Sequence, residues 1–238
     1  LGGVEIDLLD VGQVAWAMAG HDAVIHLGAI PSPGRQADQV IFRNNTGSTF
    51  AVLQAASLLG IGTVANASSL SALGTAWAPV AFAPRYAPVD EDHPLLNHDP
   101  YGLSKEVDER TGEMFHRRAG MQVVAMRFPW VATPGEIAER TRSPMEPSEE
   151  ARTLWSYIDI RDAATFCRLA IGTRGLGFVP VQVTAVDTLS DTPTEDLLRA
   201  HAPETEIRSP IPGTATAFSL DRAREVLGFE PRHSWRDG

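Results

Sequence analysis

The sequence predicts an α/β fold: a doubly wound parallel sheet with helices on both faces, followed by a small C-terminal subdomain. Three observations predict it. Strand-like and helix-like segments alternate at least four times along the 238 residues. The runs Asp22–Leu27 and Met121–Phe128 are continuously apolar rather than alternating, as strands covered on both faces are. Glycines stand just past the helix-like segments, where a left-handed C-terminal residue is wanted.

Taken in order, Val4–Ile6 reads as a short strand ending at Asp7, and Val11–Ala19 as a short helix. Asp22–Leu27 reads as a central parallel strand, and Gly28–Gly34 as a Pro/Gly-rich loop. Gln39–Leu59 has helical apolar spacing and stops at Gly60 and Gly62; Thr63–Ala67 is the next strand. A loop holding Pro79, Pro84, Pro88, Pro94 and Pro100 follows. Asp99-Pro100 then reads as an N-cap with proline in the first turn, opening a helix to about Ala119 with Gly120 as its stop. Met121–Phe128 is a buried strand, and Ala132–Arg152 a polar, Pro-rich stretch. Leu154–Ile158 reads as a strand, Asp162–Ile171 as a helix and Phe178–Ala185 as a strand. Thr192-Pro193-Thr194-Glu195 reads as a capping box opening a helix to about His201, and Leu220–Leu227 as a last helix before Gly228. The expected division is residues 1–131 for the main sheet and 132–238 for a subdomain. The strand and helix near 154–171 are expected to return to the main sheet.

Composition narrows the function. Acidic residues exceed basic ones, 30 against 20, giving a net charge of −10. An anionic surface argues against a nucleic-acid backbone and an anionic membrane as partners, and leaves small-molecule ligands. Cys167 is the only cysteine, so no intrachain disulfide is expected and a reducing, cytoplasmic setting fits. No apolar run approaches the roughly 18 residues of a membrane span, and no stretch reads as a signal peptide. Seven histidines and one cysteine show no metal-ligand spacing, so no metal is expected.

The chemistry concentrates at Tyr101-Gly102-Leu103-Ser104-Lys105. A tyrosine and a lysine four apart share a helix face. An ammonium held near a phenol favours the phenolate, so the tyrosine's pKa is expected to fall from about 10 toward working pH. Such a group acts as base toward a hydroxyl or acid toward a carbonyl. In an open parallel sheet ligands bind outside the carboxyl ends of the strands. Leu27–Ile30, Ser68–Ser71, Tyr101 and Phe128–Trp130 all follow predicted strands or open the next helix, so they converge on one crevice. His26, by contrast, reads as a strand-end core histidine, Asp159 and Asp162 as a cap and a solvated face, and Trp155 and Trp235 as packing residues.

These segments together resemble the extended short-chain dehydrogenase/reductases, the NAD-dependent epimerase/dehydratase family, whose fold is Rossmann-like. Asp7-Leu8 resembles the family's adenine-contacting pair, and Asp22–Ala29 its strand and loop beside the cofactor. Asn44-Asn45-Thr46-Gly47-Ser48, Ala67-Ser68-Ser69 with Gly74, Tyr101 with Lys105, and Leu227-Gly228-Phe229-Glu230-Pro231 resemble its successive motifs. The resemblance implies NAD or NADP as cofactor. It implies Ser69, Tyr101 and Lys105 as the catalytic set: Tyr101 the acid/base, Lys105 on the nicotinamide ribose, and Ser69 on the reacting oxygen. Cofactor contacts would come from Asp7, Leu8, Leu27, Gly28, Ala29, Ile30, Asn44, Ala67, Tyr101, Lys105, Phe128 and Pro129. Substrate contacts would come from Ser69, Ser71 and Trp130. A homodimer through the helices beginning near Gln39 and at Tyr101 is also implied.

Two departures shape the expectation. The family's glycine-rich phosphate loop belongs upstream of Asp7, so the chain reads as N-terminally incomplete. Gly172–Gly177 precedes a strand rather than following one and is rejected as a substitute. Leu70-Ser71 stands where the family's sugar-nucleotide dehydratases carry an Asp-Glu pair, which disfavours water elimination. The expected activity is therefore NAD(P)-dependent oxidation or reduction of a sugar, uronate or similar hydroxyl or carbonyl compound. A nucleotide-sugar epimerase and a non-catalytic dinucleotide-sensing protein remain alternatives.

Overall fold

A computed structural model of the protein describes residues 3–237. The chain runs α1 (Val11–Met18), β1 (Val24–His26), α2 (Asp38–Leu58), β2 (Thr63–Ser69), β3 (Tyr86–Ala87), α3 (Pro100–Ala119), β4 (Gln122–Phe128), β5 (Trp130–Ala132), α4 (Pro134–Arg142), α5 (Pro147–Glu150), β6 (Tyr157–Asp159), α6 (Ile160–Gly172), β7 (Phe178–Gln182), α7 (Thr194–His201), β8 (Glu206–Ile207) and α8 (Asp221–Leu227). The main sheet has the order β1-β2-β4-β7 and every pairing is parallel. In its register Ser69 lies opposite Phe128.

Apolar residues on both faces of β2 and β4 explain the double winding. On one face Val64 and Val123 meet Leu53 and Ala56 of α2 and Phe115 of α3. On the other, Ala65, Val124 and Met126 meet Phe166 and Ala170 of α6 and Ala223 and Leu227 of α8. Each large side chain so buried contributes about 1.5–3 kcal/mol. The cap reading at α3 holds: Asp99 accepts from Gly102 N, Pro100 opens the helix and Gly120 ends it at φ 67°. A short 3-10 turn, Leu70–Leu73, follows Ser69 and closes at Gly74, φ 92°. A Cβ on Gly74 would stand 1.8 Å from Leu96 O, so only glycine fits there.

Several elements differ from expectation. Val4–Ile6 is not a strand: no described strand lies beside it, and it is held through Ile6 packing with Val14, Val52 and Ala55. The run from Asp22 forms only β1, which among the described residues pairs with β2 alone and leaves Ile25 40% exposed. The stretch 132–152 holds two helices, and a Thr133/Glu136 capping box is the signal that finds α4. Leu154 and Trp155 turn at positive φ, which delays the strand to Tyr157. That strand pairs with β5 in a separate two-stranded sheet, so it does not return to the main sheet; α6 packs on the sheet and β7 closes it. The Thr192 capping box does not form. Pro193 is the N-cap without a side-chain bond, and Glu195 turns to Ile211 N and Arg199.

A buried polar lock joins α3 to the strands. Glu109 receives Arg127 Nε and Nη2, each at 2.8 Å, and Ser68 Oγ at 2.6 Å. Arg127 Nη1 also donates to Glu91 O. Removing one partner of such a pair strands a buried charge. Glu109→Ala is therefore expected to lower unfolding free energy by about 3–5 kcal/mol in a denaturant titration. A loss below about 1 kcal/mol would show the lock to be incidental.

Candidate active site

The carboxyl ends of β2 and β4 and the first turn of α3 meet at one cavity of about 1070 Å³. Ala67, Ser69, Ser71, Tyr101, Phe128, Pro129 and Trp130 line it from the sheet side, and Leu27 from the β1 loop. Arg140, Met145, Trp155 and Leu189 close the other side. Its size is in the range of small-molecule sites.

Three of the predicted side chains come together. Tyr101, Ser69 and Lys105 are all buried, at 9%, 8% and 4% exposure. Tyr101 and Ser69 line the same cavity, and Ser69 Oγ donates to Phe128 O at 3.4 Å. Ser69 Oγ also accepts from Ser71 N at 3.1 Å, which fixes its orientation at the head of the 3-10 turn. Lys105 Nζ donates to Ala67 O at 2.9 Å and to Asp108 Oδ2 at 3.3 Å, and lies 5.9 Å from the Tyr101 ring centre. Ser71 Oγ accepts from Trp77 Nε1. Trp130, 40% exposed, lies under the Arg140 guanidinium.

The remaining predicted residues lie around the cavity rather than in it. Asp7 is exposed and caps its own turn through Leu9 N. Leu8 packs on Gly28, where a Cβ would stand 2.5 Å from Leu8 Cδ1. Ala29 and Ile30 are half-buried, and the Ile30 backbone is held at both N and O by Asn45. Asn44 only donates to Asn45. Sequence reading passed over Asn45, which also donates to Ser104 Oγ across to α3. Its place on the buried stripe Ile41, Asn45, Ser48, Val52 was a legible signal. It also passed over Asp108, three residues after Lys105 on the same face. Asp162 is not on a solvated face: it is buried and holds the backbone of Arg232 and His233.

The electrostatics correct one expectation. The Tyr101 pKa is raised, not lowered. Burial is the main cause; the Ser69 hydroxyl opposes it, and the carboxylates of Asp108 and Asp99 push it up further. Asp108 is itself pushed up to about 6, first by burial, against the pull of Lys105. His26 sits behind this group with Nε2 3.5 Å from Thr49 Oγ1. Burial first, then the Lys105 charge, takes its pKa down to about 4.

Comparison with known proteins agrees with this architecture. The sequence profile of the NAD dependent epimerase/dehydratase family matches residues 2–175. The chain belongs to that family. It is 29% identical over 160 residues to an L-arabinose 1-dehydrogenase (NAD(P)(+)) of Haloferax volcanii, covering 65% of this chain and 63% of that protein. The chain thus spans less than two thirds of that relative's length. A dTDP-glucose 4,6-dehydratase of Streptomyces niveus is 24% identical over 261 residues, covering 98% of this chain and 72% of that protein. Among solved structures, a mutated uronate dehydrogenase superposes with a TM-score of 0.69 at 19% identity, over all of this chain and 71% of that one; it bears on the fold alone. Similarity therefore spans dehydrogenases and dehydratases, and does not support setting the dehydratases aside.

The buried histidine yields a stability prediction. A folded-state pKa of about 4 against 6.5 means the unfolded chain binds the proton first. The stability owed to neutral His26 is complete above pH 6.5 and is lost as pH falls toward 4. Asp108, raised to about 6, works in the opposite sense over much of that window. A difference measurement separates them. Relative to His26→Gln, the unaltered protein is expected to lose about 3 kcal/mol of unfolding free energy between pH 7 and pH 4. A difference that stays constant with pH would refute this.

Proposed function

We propose that this protein is an NAD(P)-dependent oxidoreductase acting on a sugar, uronate or similar hydroxyl or carbonyl compound. One observation carries the reading: Ser69 and Tyr101 line the same cavity, with Lys105 buried one turn after Tyr101 on the same helix. NAD or NADP fits the residues present. Leu27 and Pro31 flank the cavity on the Tyr101 side, and Gly28 lets Leu8 settle against the loop after β1. Among the described residues there is no strand–Gly-rich loop–helix unit to hold a pyrophosphate.

The cofactor, when bound, supplies the hydride acceptor or donor. Tyr101 Oη moves the proton to or from the substrate oxygen. Ser69 Oγ, oriented by Ser71 N, holds that oxygen in place. Lys105, Ala67, Leu27, Gly28, Phe128 and Pro129 form the cofactor side, with Asp7, Leu8, Ala29 and Ile30 beneath. Asn44 acts through Asn45, which fixes the Ile30 backbone. Ser71, Trp130 and the subdomain from residue 132 form the substrate side.

Dehydrogenation is favoured over nucleotide-sugar epimerisation. A diphosphate needs several free cations, and of the two arginines lining the cavity Arg140 is paired with Glu150, which leaves Arg152, bonded to the neutral Ala78 O.

Tyr101→Phe is expected to cut turnover by about 10²- to 10⁴-fold and to leave dinucleotide binding within a few-fold. The assay is nicotinamide absorbance with NAD and NADP against aldoses, uronates and nucleotide sugars, with binding by calorimetry. Turnover within a few-fold of the unaltered protein would remove Tyr101 from this role. Dinucleotide binding without turnover on any substrate would favour a sensing protein, and NAD retained through purification would favour an epimerase.

A homodimer is part of the proposal. Val40 and Phe50 on α2 and Leu103 on α3 are each more than 40% exposed, on the two helices that would pair across subunits. Light scattering is expected to give twice 25.7 kDa. Val40→Glu is expected to shift the mass toward the monomer; a monomeric unaltered protein would overturn the assignment.

A further inference from the structure

One cation on the cavity wall has no carboxylate to answer it. Arg152 stands in the 3-10 turn Ala151–Thr153 and lines the cavity together with Trp155. Its Nη1 donates to the neutral Ala78 O at 2.6 Å. Among the described residues its Nε and Nη2 make no hydrogen bond, so the guanidinium edge that matches the two oxygens of a carboxylate is unengaged. Arg140, the other arginine of the lining, is taken by the buried Glu150. Glu149 completes the charged lining; it is exposed, where water and salt screen it, and it pairs with no cation among the described residues.

The surrounding backbone holds Arg152 at this place. Its carbonyl accepts from Thr75 Oγ1 at 2.7 Å, so Arg152 is fastened through both backbone and side chain to the loop 75–78. That loop follows Gly74, where the 3-10 turn headed by Ser69 ends, and within it Trp77 donates to Ser71 Oγ. The cation and the serine assigned to the reacting oxygen are thus joined by one short stretch of cavity wall. Just after Arg152, Leu154 and Trp155 are buried and both stand at φ 54°. Left-handed backbone at two successive non-glycine residues is costly and persists where contacts fix it; Trp155 Nε1 donates to Pro147 O.

Resting on the reading of this cavity as an oxidoreductase site, we propose that Arg152 is its specificity-determining residue: it takes the carboxylate of a sugar-acid substrate through Nε and Nη2 while Ser69 takes the reacting oxygen. One unanswered guanidinium balances one negative charge. A neutral aldose leaves it idle, and a phosphate monoester, at about −1.5 to −2 near pH 7, exceeds it. Of the substrates the reading allows, the lining therefore selects the uronate class.

The test compares compounds that differ only at C6: glucose and galactose, their uronates, and their 6-phosphates. Nicotinamide absorbance with NAD and with NADP gives kcat/KM for each, and calorimetry gives uronate binding without turnover. The unaltered protein is expected to favour one uronate over its aldose and its 6-phosphate by about tenfold or more. Arg152→Gln keeps a donor for Ala78 O and removes the charge. It is expected to cut the uronate-to-aldose ratio of kcat/KM by about 10- to 100-fold, chiefly through KM, and to weaken uronate binding by a similar factor. Arg152→Lys keeps the charge without the fork and is expected to fall between the two. The proposal is overturned if the unaltered protein prefers an aldose or a 6-phosphate, or if neither uronate binds it at millimolar concentration. An unmoved ratio in Arg152→Gln also overturns it, and a lowered melting temperature beside that unmoved ratio would mark Arg152 as merely structural. Uronate binding that depends on Arg152, without turnover of any of the six compounds, would sink the oxidoreductase reading alone. Turnover with an unmoved ratio would sink the carboxylate assignment alone.

Discussion

The bidentate pair between Arg127 and Glu109 sets where α3 lies against the carboxyl ends of β2 and β4. Arg127 is the penultimate residue of β4, and Ser68, which also bonds Glu109, is the penultimate residue of β2. One carboxylate thus ties two neighbouring strands to one helix turn. Lys105 lies one turn before Glu109, and Tyr101 one turn before that. The distance between Ser69 and Tyr101 follows from this register. A slip of one residue would rotate the tyrosine by about 100° and take it out of the cavity.

Around that register the protein collects ionisable groups in a dry interior. His26, Lys105, Asp108, Glu109 and Arg127 are all buried within the ends of the same three elements and β1. Desolvation is the leading cause of the shifts of His26, Asp108 and Tyr101 alike. Two buried cations stand against carboxylates, Lys105 against Asp108 and Arg127 against Glu109, and the Lys105 charge still acts on His26. Burial is likewise the first reason the Tyr101 pKa is raised, with the Asp108 and Asp99 carboxylates adding to it.

Much of the site was legible because it is local. Asp99-Pro100 and Gly120 mark the ends of α3, and the pair Tyr101/Lys105 needs only helix periodicity. Ser69 was singled out because Ala67-Ser68-Ser69, at a strand end, resembles a family motif. Asn45 was missed because its partners, Ile30 and Ser104, are distant in sequence; Asp108 was passed over although its partner Lys105 lies three residues before it. Arg140 and Arg152 were missed because they enter the cavity from helices and turns in a stretch that read as loop.

The sequence by itself determined the alternation of strands and helices and the parallel sheet. Each depends on contacts within a turn or a strand, where spacing and apolar pattern suffice. Tertiary structure alone decided the order of the described strands, that Tyr157 pairs with β5 while Phe178 closes the main sheet, and that Glu109 faces Arg127. Strand order depends on which loops can close, and charge pairing in the interior depends on which distant groups share a desolvated space. Neither quantity is written into the spacing of residues along the chain.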